Sequence, residues 1–262
     1  MCRCEQQPPL KVVRAFRLSD GAALVHLHNM SGGVLGGDKL KMQVEAGPGT
    51  RVQLTSTGAT RVYRSLGETA VAEQVNEITV GEGALMEYLP DALIPFRDAR
   101  YRQETRILLA DGAGLFWWET IAPGREAHGE VFGYKLLQLK VDISSVGVPL
   151  FQEFVNVQPS KGELSSFIRL GHYRYFSSFY ICRVGLGMNS WLKLESELSD
   201  LAGELAKPDE LICGISTLPA HGLVIRALGR KLSAISSGLM AFWVTAKERL
   251  YGRSAVAPRK MA

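Results

Sequence analysis

Long apolar runs are missing from this sequence. Charged residues interrupt each one well short of the ~20 residues that a membrane-crossing helix needs. The first ten residues, Met1 to Leu10, are polar and include Pro8 and Pro9, so the apolar centre of a secretory signal is missing too. Cysteine is scarce, with four residues: Cys2, Cys4, Cys182 and Cys213. Two of these crowd the N-terminus, unlike the distributed spacing of a secreted disulfide framework. These absences set the expectation of a cytoplasmic protein with no membrane partner. The formal charge is only +4 and the sequence pI about 8.9. No clustered basic stripe is present, so nucleic acid is not an expected partner, whereas acidic protein partners are compatible.

The familiar catalytic signatures are also absent. No Gly-x-Ser-x-Gly elbow or His-Glu-x-x-His helix occurs. Neither the Gly-x-x-x-x-Gly-Lys-Ser/Thr phosphate loop nor Gly-x-Gly-x-x-Gly is found. No repeat of fixed period is visible, so the residues alone do not support a regular solenoid.

What is present is a period of two. Over Lys39 to Ala46, Leu40, Met42, Val44 and Ala46 share one face, opposite Lys39, Lys41, Gln43 and Glu45. Over Lys135 to Ile143, Leu137, Leu139, Val141 and Ile143 do the same. Turn signals separate such stretches: Asp20-Gly21, Gly47-Pro48-Gly49, Gly81-Glu82-Gly83, Asp111-Gly112 and Pro123-Gly124. The sequence therefore predicts strand after strand rather than strand–helix–strand units. The last third differs. Leu198, Leu201 and Leu205 predict a helix over Glu195 to Lys207, stopped by Pro208. Leu232, Ile235, Leu239, Phe242, Trp243, Ala246 and Leu250 predict a second over Lys231 to Tyr251, closed by Gly252. Leu211 to Thr217 and Gly222 to Leu228 read as two short strands between them. One domain over 1–262 is expected, with 1–10 and 254–262 as loose tails.

The most unusual local feature is Gly32-Gly33-Val34-Leu35-Gly36-Gly37-Asp38. Paired glycines permit positive φ and close backbone approach. Without a phosphate-loop lysine, and with a strand following, the physical reading is a turn in which Asp38 bonds local backbone. The alternative is a small-molecule hydrolase or ligand-binding protein built on this turn, with a nucleophile–base pair beside Gly36. Neither Ser31 nor Ser56 has an obvious base in the sequence. His26 and His28 share one face of a strand and are a candidate metal pair. Cys2 and Cys4 offer soft ligands. Asp38, Glu87, Asp91, Glu119 and Glu130 fall near strand ends, where carboxylates can line a cavity or form ordinary salt bridges. Trp191, Phe176 and Phe179 are candidates for a partner surface or for the core.

Five segments resemble, in order and spacing, the urease accessory proteins called UreD or UreH. They are His28 to Asp38, Leu54 to Ser65 (LTSTGATRVYRS), Leu85 to Arg100 (LMEYLPDALIPFRDAR), Gly124 to Glu130 (GREAHGE) and Gly222 to Gly229 (GLVIRALG). Family members usually have Thr-Thr-Gln-Ala-Ala where this chain has Thr55-Ser56-Thr57-Gly58-Ala59, and often arginine at His128. Resemblance is poor over 146–189, where Glu153-Phe154 replaces an acidic–basic pair. The resemblance implies a mainly β fold, a β-helix-like arrangement of many short strands, with two α-helices in the C-terminal third. It implies a non-catalytic metallochaperone scaffold that binds the urease apoprotein together with a UreF-like accessory protein and a UreG-like GTPase. Nickel then passes transiently through an internal tunnel, with no tightly bound cofactor. Asp38, Glu87 and Glu130 match acidic family positions and are the expected transient nickel contacts.

Overall fold

The computed structural model describes residues 3–67, 70–162, 164 and 170–258. Among the described residues, fifteen strands and two α-helices follow one another: β1 (Leu10–Arg17), β2 (Ala23–Asn29), β3 (Lys39–Ala46), β4 (Arg51–Ser56), β5 (Thr60–Val62), β6 (Ala72–Val80), β7 (Leu85–Tyr88), β8 (Leu93–Pro95), β9 (Arg100–Leu109), β10 (Gly114–Ile121), β11 (Leu136–Ser145), β12 (Val148–Val157), β13 (Tyr175–Arg183), α1 (Met188–Leu205), β14 (Leu211–Thr217), β15 (Gly222–Gly229) and α2 (Leu232–Tyr251).

The expected mainly β architecture is what forms, and it winds like a β-helix. Successive strands alternate between two sheets. Parallel β2, β4, β7 and β10 line one sheet. Parallel β3, β6, β9 and β11 line the other. Antiparallel strands extend both: β1 beyond β2, then β13, β15 and β14 beyond β10 in the first sheet, and β12 beyond β11 in the second. Tight turns stack where the chain passes from the second sheet to the first. Gly49 N–H donates to the Glu82 carbonyl at 2.8 Å, and Gly83 N–H to the Asp111 carbonyl at 2.9 Å. A third side is made of short arcs. Val34 bridges Val62, β5 pairs with β8, and Asp98 N–H reaches the Gly133 carbonyl.

The two sheets enclose one apolar core that includes Met42, Ile78, Ile107 and Val141 from the second sheet and Leu54, Met86, Leu115 and Trp117 from the first. The first sheet's other face is covered by the helices, with Phe116, Phe179, Leu223 and Ile225 against Trp191, Leu198, Phe242 and Trp243. Helix α1 begins at Met188, seven positions before the predicted Glu195. Its buried stripe starts upstream at Trp191 and Leu194, which the leucine spacing alone did not include. Helix α2 matches its predicted range closely, and Gly252 ends it in the left-handed conformation at φ 61°. Trp191 and Phe179 are fully enclosed, so they belong to the core and not to a partner surface. Among the described residues, no helix is long and apolar enough to cross a membrane.

Candidate functional site

The glycine turn is a stacking device. A Cβ on Gly33 would lie 2.4 Å from the Tyr63 ring and 2.7 Å from the Arg61 carbonyl. One on Gly36 would lie 2.9 Å from Ser65 Cα. Gly32 and Gly37 hold φ of 74° and 92°, where side chains are disfavoured. The two arcs, 33–36 and 61–65, are thus pressed together, and Val34 and Tyr63 exchange backbone hydrogen bonds with their opposite numbers. Asp38 caps its own turn: Leu35 N–H donates to Asp38 Oδ2 at 2.9 Å. This is the local backbone role that the residue pattern favours. Ser31 donates to Asn29 Oδ1 and to the Gly33 carbonyl. Ser56 donates to Asp91 Oδ2.

Glu130 lies on the same arc side of the winding, three arcs along. Arg125 grips it through both oxygens, and Arg97 N–H donates to Oε2 at 3.2 Å. The guanidinium holds its carboxyl down to about 2. Arg125 also lies 4.5 Å over the Phe96 ring. Glu87 is elsewhere, on the helix-covered face of β7. Trp243 Nε1–H donates to Glu87 Oε1 at 2.8 Å, and Lys247 Nζ to Oε2 at 3.0 Å. Burial raises the Glu87 carboxyl, opposed by the lysine beside it. Lys247 also lies 3.8 Å from Asp20 Oδ2. The three carboxylates matched from the sequence therefore sit in three separate settings. Among the described residues, no group of three or more His, Cys, Asp or Glu is placed to hold a metal ion.

His26 and His28 do share a face, as their spacing requires, but His26 is enclosed against Phe16. His28 is exposed, with its Nδ1 2.6 Å from Thr57 Oγ1. Cys4 is exposed and Cys2 lies outside the described residues.

A concavity lies between the two sheets, where β10, β13 and β15 face β11 and β12. It is about 510 Å³ and is lined in part by Glu119, Glu153, Phe176, Ser178 and Arg226. None of residues 31–38 lines it. Of its two carboxylates, Glu153 has a counterion: Arg226 spans both its oxygens at 2.8 and 2.9 Å, and Tyr180 donates at 2.6 Å. Glu119 is bonded by the Gln103 amide instead. Burial, with the Glu153 charge nearby, pushes the Glu119 carboxyl up to about 7, against the amide bond that favours its ionised form.

From Glu119 a buried polar lane runs between the sheets. Tyr101 O–H donates to Gln103 Oε1 and Gln74 Oε1, each at 3.0 Å. Gln74 Nε2 donates to Asn76 Oδ1 at 2.9 Å, and Asn76 Nδ2 to Thr105 Oγ1 at 3.1 Å. Glu119 was one of several acidic candidates in the sequence. Its distinguishing signal is phase, because it falls on the inward row of β10 between Trp117 and Ile121, where an apolar residue is the rule.

The comparisons with known proteins agree with the motif resemblance. The model of the UreD urease accessory protein family matches residues 1–262. A protein of Herpetosiphon aurantiacus named urease accessory protein UreD is 46% identical over 98% of this chain and 89% of its own. Proteins of that name from Arthrobacter sp. and Pseudomonas fluorescens are 29% and 33% identical. They match 96% and 87% of this chain and 85% and 76% of their own. With a family match over its whole length and a relative this similar, the chain belongs to the UreD family of urease accessory proteins.

Proposed function

We propose that this protein is a non-catalytic scaffold that delivers nickel to urease. It binds the urease apoprotein together with a UreF-like accessory protein and a UreG-like GTPase. Membership of the family supports the role in urease maturation. The observation that carries the conduit reading is the inter-sheet cavity with its continuing polar lane, which has Glu119 at the junction. A carboxylate without a fixed cation and a row of amide and hydroxyl oxygens suit brief contact with a divalent ion. Hard oxygen ligands hold nickel less tightly than imidazole or thiolate, and a conduit must release what it binds. Asp38, Glu87 and Glu130 are proposed as further transient contacts. Each would have to exchange its present partner, which ranks them behind Glu119.

The test is urease activation in a reconstituted system, with Glu119→Ala, Asp38→Ala, Glu87→Ala and Glu130→Ala each compared with wild type after folding is verified. Loss of activation by Glu119→Ala, with the complex still assembled, is the expected result. Unchanged activation in all four folded variants would remove the nickel-contact reading. Failure of the folded wild-type chain to associate with any of the three partners would remove the scaffold reading.

A further inference from the structure

The strands that end the two sheets are β1 and β14 in the first and β3 and β12 in the second. An open edge is a template for further strand pairing, and charges, prolines and bulges ordinarily blunt it. β1 carries Lys11, Arg14 and Arg17 and shifts register between Val12 and Ala15. β3 carries Lys39, Lys41 and Glu45. β12 carries Pro149 and Glu153. β14, with the sequence LICGIST, has no charge and no proline, and it pairs with β15 without a shift.

The phase of β14 shows which of its backbone groups are open. Arg230 N–H donates to the Glu210 carbonyl, and Leu218 N–H to the Gly222 carbonyl. With Leu211 opposite Gly229, the even-numbered residues of β14 bond to β15, and the odd-numbered ones turn N–H and C=O outward. Leu211 exchanges its pair with Lys207. Those of Cys213, Ile215 and Thr217 have no backbone partner among the described residues. Helix α1 roofs this edge. Trp191, Leu194, Leu198 and Ala202 bury its sheet side, and Glu197 reaches Arg249 on α2. The flank away from α2 therefore carries Met188, Leu192, Glu195 and Ser199. Met188 and Leu192 are 41% and 50% exposed there. α1 contacts β15 as well as β14, which sets its axis back from the edge.

We infer that β14 is a dimerisation edge and that its occupant is β14 of a second copy of this chain. Ile215 sits midway between Cys213 and Thr217. An antiparallel two-fold centred on Ile215 sets that residue against itself and Cys213 against Thr217 of the second copy. Each outward N–H and C=O of the three residues then finds a partner, whereas a shifted register leaves some of them open. Opposed side chains stay on one face, so the helix layer continues across the axis, and the two α1 flanks meet through Leu192 and Met188. A strand pair alone is small beside the ~1,200–2,000 Å² of a stable interface, and these flanks supply the apolar remainder. The isologous contact consumes the open edge of both copies, so assembly through it stops at two. The inference is independent of the nickel-scaffold reading.

Sedimentation equilibrium of the full chain, from about 1 µM to about 100 µM, is expected to show a species of twice the 28.7 kDa chain mass. Thr217→Pro keeps the bonds to β15, because the N–H it removes faces outward. It should raise the dimer Kd about tenfold or more through the bonds lost at both ends of the pairing. Leu192→Asp should weaken the dimer too, and Phe154→Asp, exposed on β12, should leave it unchanged. Thr217→Cys reads the register. Residues opposed in a hydrogen-bonded antiparallel pair have Cα atoms about 5.5 Å apart, within disulfide reach. Mild oxidation should therefore link Cys213 of one copy to position 217 of the other, as peptide mapping would show, and Thr217→Cys/Cys213→Ser should form no such link. A chain that stays monomeric over this range overturns the inference. So does a dimer that Thr217→Pro leaves intact and that forms no 213–217 bridge. Should Thr217→Pro lower the thermal unfolding temperature, the bridge alone decides.

Discussion

Replacing Lys247 by methionine should destabilise the protein by an amount that grows with pH. Lys247 and Glu87 are 1% and 2% exposed, and their charged atoms are 3.0 Å apart. Removing one partner of such a pair strands the other charge in a dry site, which typically costs about 3–5 kcal/mol. Protonation limits the loss. Burial already raises the Glu87 carboxyl even with Lys247 beside it, and without the lysine it rises further. The folded state then keeps a proton that the unfolded chain, with a carboxyl near its ordinary ~4.3, has released. Stability therefore falls as pH rises through that window, by about 1.4 kcal/mol per pH unit. The gap between Lys247→Met and wild type should be small at pH 5 and approach about 3–5 kcal/mol at pH 8.

Urea unfolding at several pH values measures this directly. The double variant Lys247→Met/Glu87→Gln supplies the control, since the glutamine carbonyl can still accept from Trp243 and carries no charge. It should lie within about 2 kcal/mol of wild type and show none of the added pH dependence. A gap below about 1 kcal/mol at pH 8, or one that stays constant from pH 5 to 8, would refute the assignment of Lys247 as the counterion that fixes α2 to the sheet.

Three further outcomes follow from the geometry. Because Glu119 is pushed up to about 7, stability should fall as pH rises from the ordinary carboxyl range to neutrality, by at most about 3 kcal/mol, and Glu119→Gln should flatten that part of the profile in chemical denaturation. Gly33→Ala should cost about 1–3 kcal/mol, read as a lowered urea midpoint, because its new Cβ would meet the Tyr63 ring and the Arg61 carbonyl. Val146, a β-branched residue held at φ 48°, should be improved on by asparagine. Val146→Asn is expected to stabilise by about 1 kcal/mol in the same assay.

The second sheet is legible in the sequence because only one of its faces is buried. Its outer face meets solvent, so β3 and β11 alternate, and spacing alone identifies their inward residues. The first sheet is covered on both sides, by the second sheet and by the helices. Leu85 to Tyr88 is buried at every position, and Gly114 to Ile121 at all but Glu119. Alternation carries no information in such a strand, and the side to which Glu87 points cannot be read from its neighbours. The winding itself was hidden for a related reason. Ala46, Val80 and Leu109 occupy equivalent positions in successive coils, yet they are spaced 34 and 29 residues apart. Unequal third sides absorb the difference, so no fixed period survives in the sequence although the coils stack in register.

The polar interior shows where pattern reading can be pushed further. Gln74 and Asn76 on β6, and Gln103 and Thr105 on β9, occupy the inward row of strands whose remaining inward residues are apolar or aromatic. Once Ile78 and Ile107 fix the phase, these four stand out as polar groups that must find partners inside. They do so by bonding one another and, through Gln103, Glu119. Lys247 yields to the same argument only in part. Its place beside Trp243 and Ala246 on the stripe of α2 puts it at the edge of the apolar face, where a lysine ordinarily extends its stem and keeps its ammonium in water. What pulls it inward is a carboxylate 160 positions earlier in the chain, on a strand whose facing was itself unreadable. Spacing within one element identifies a buried polar group, but the partner that makes the burial tolerable is set by how distant elements pack.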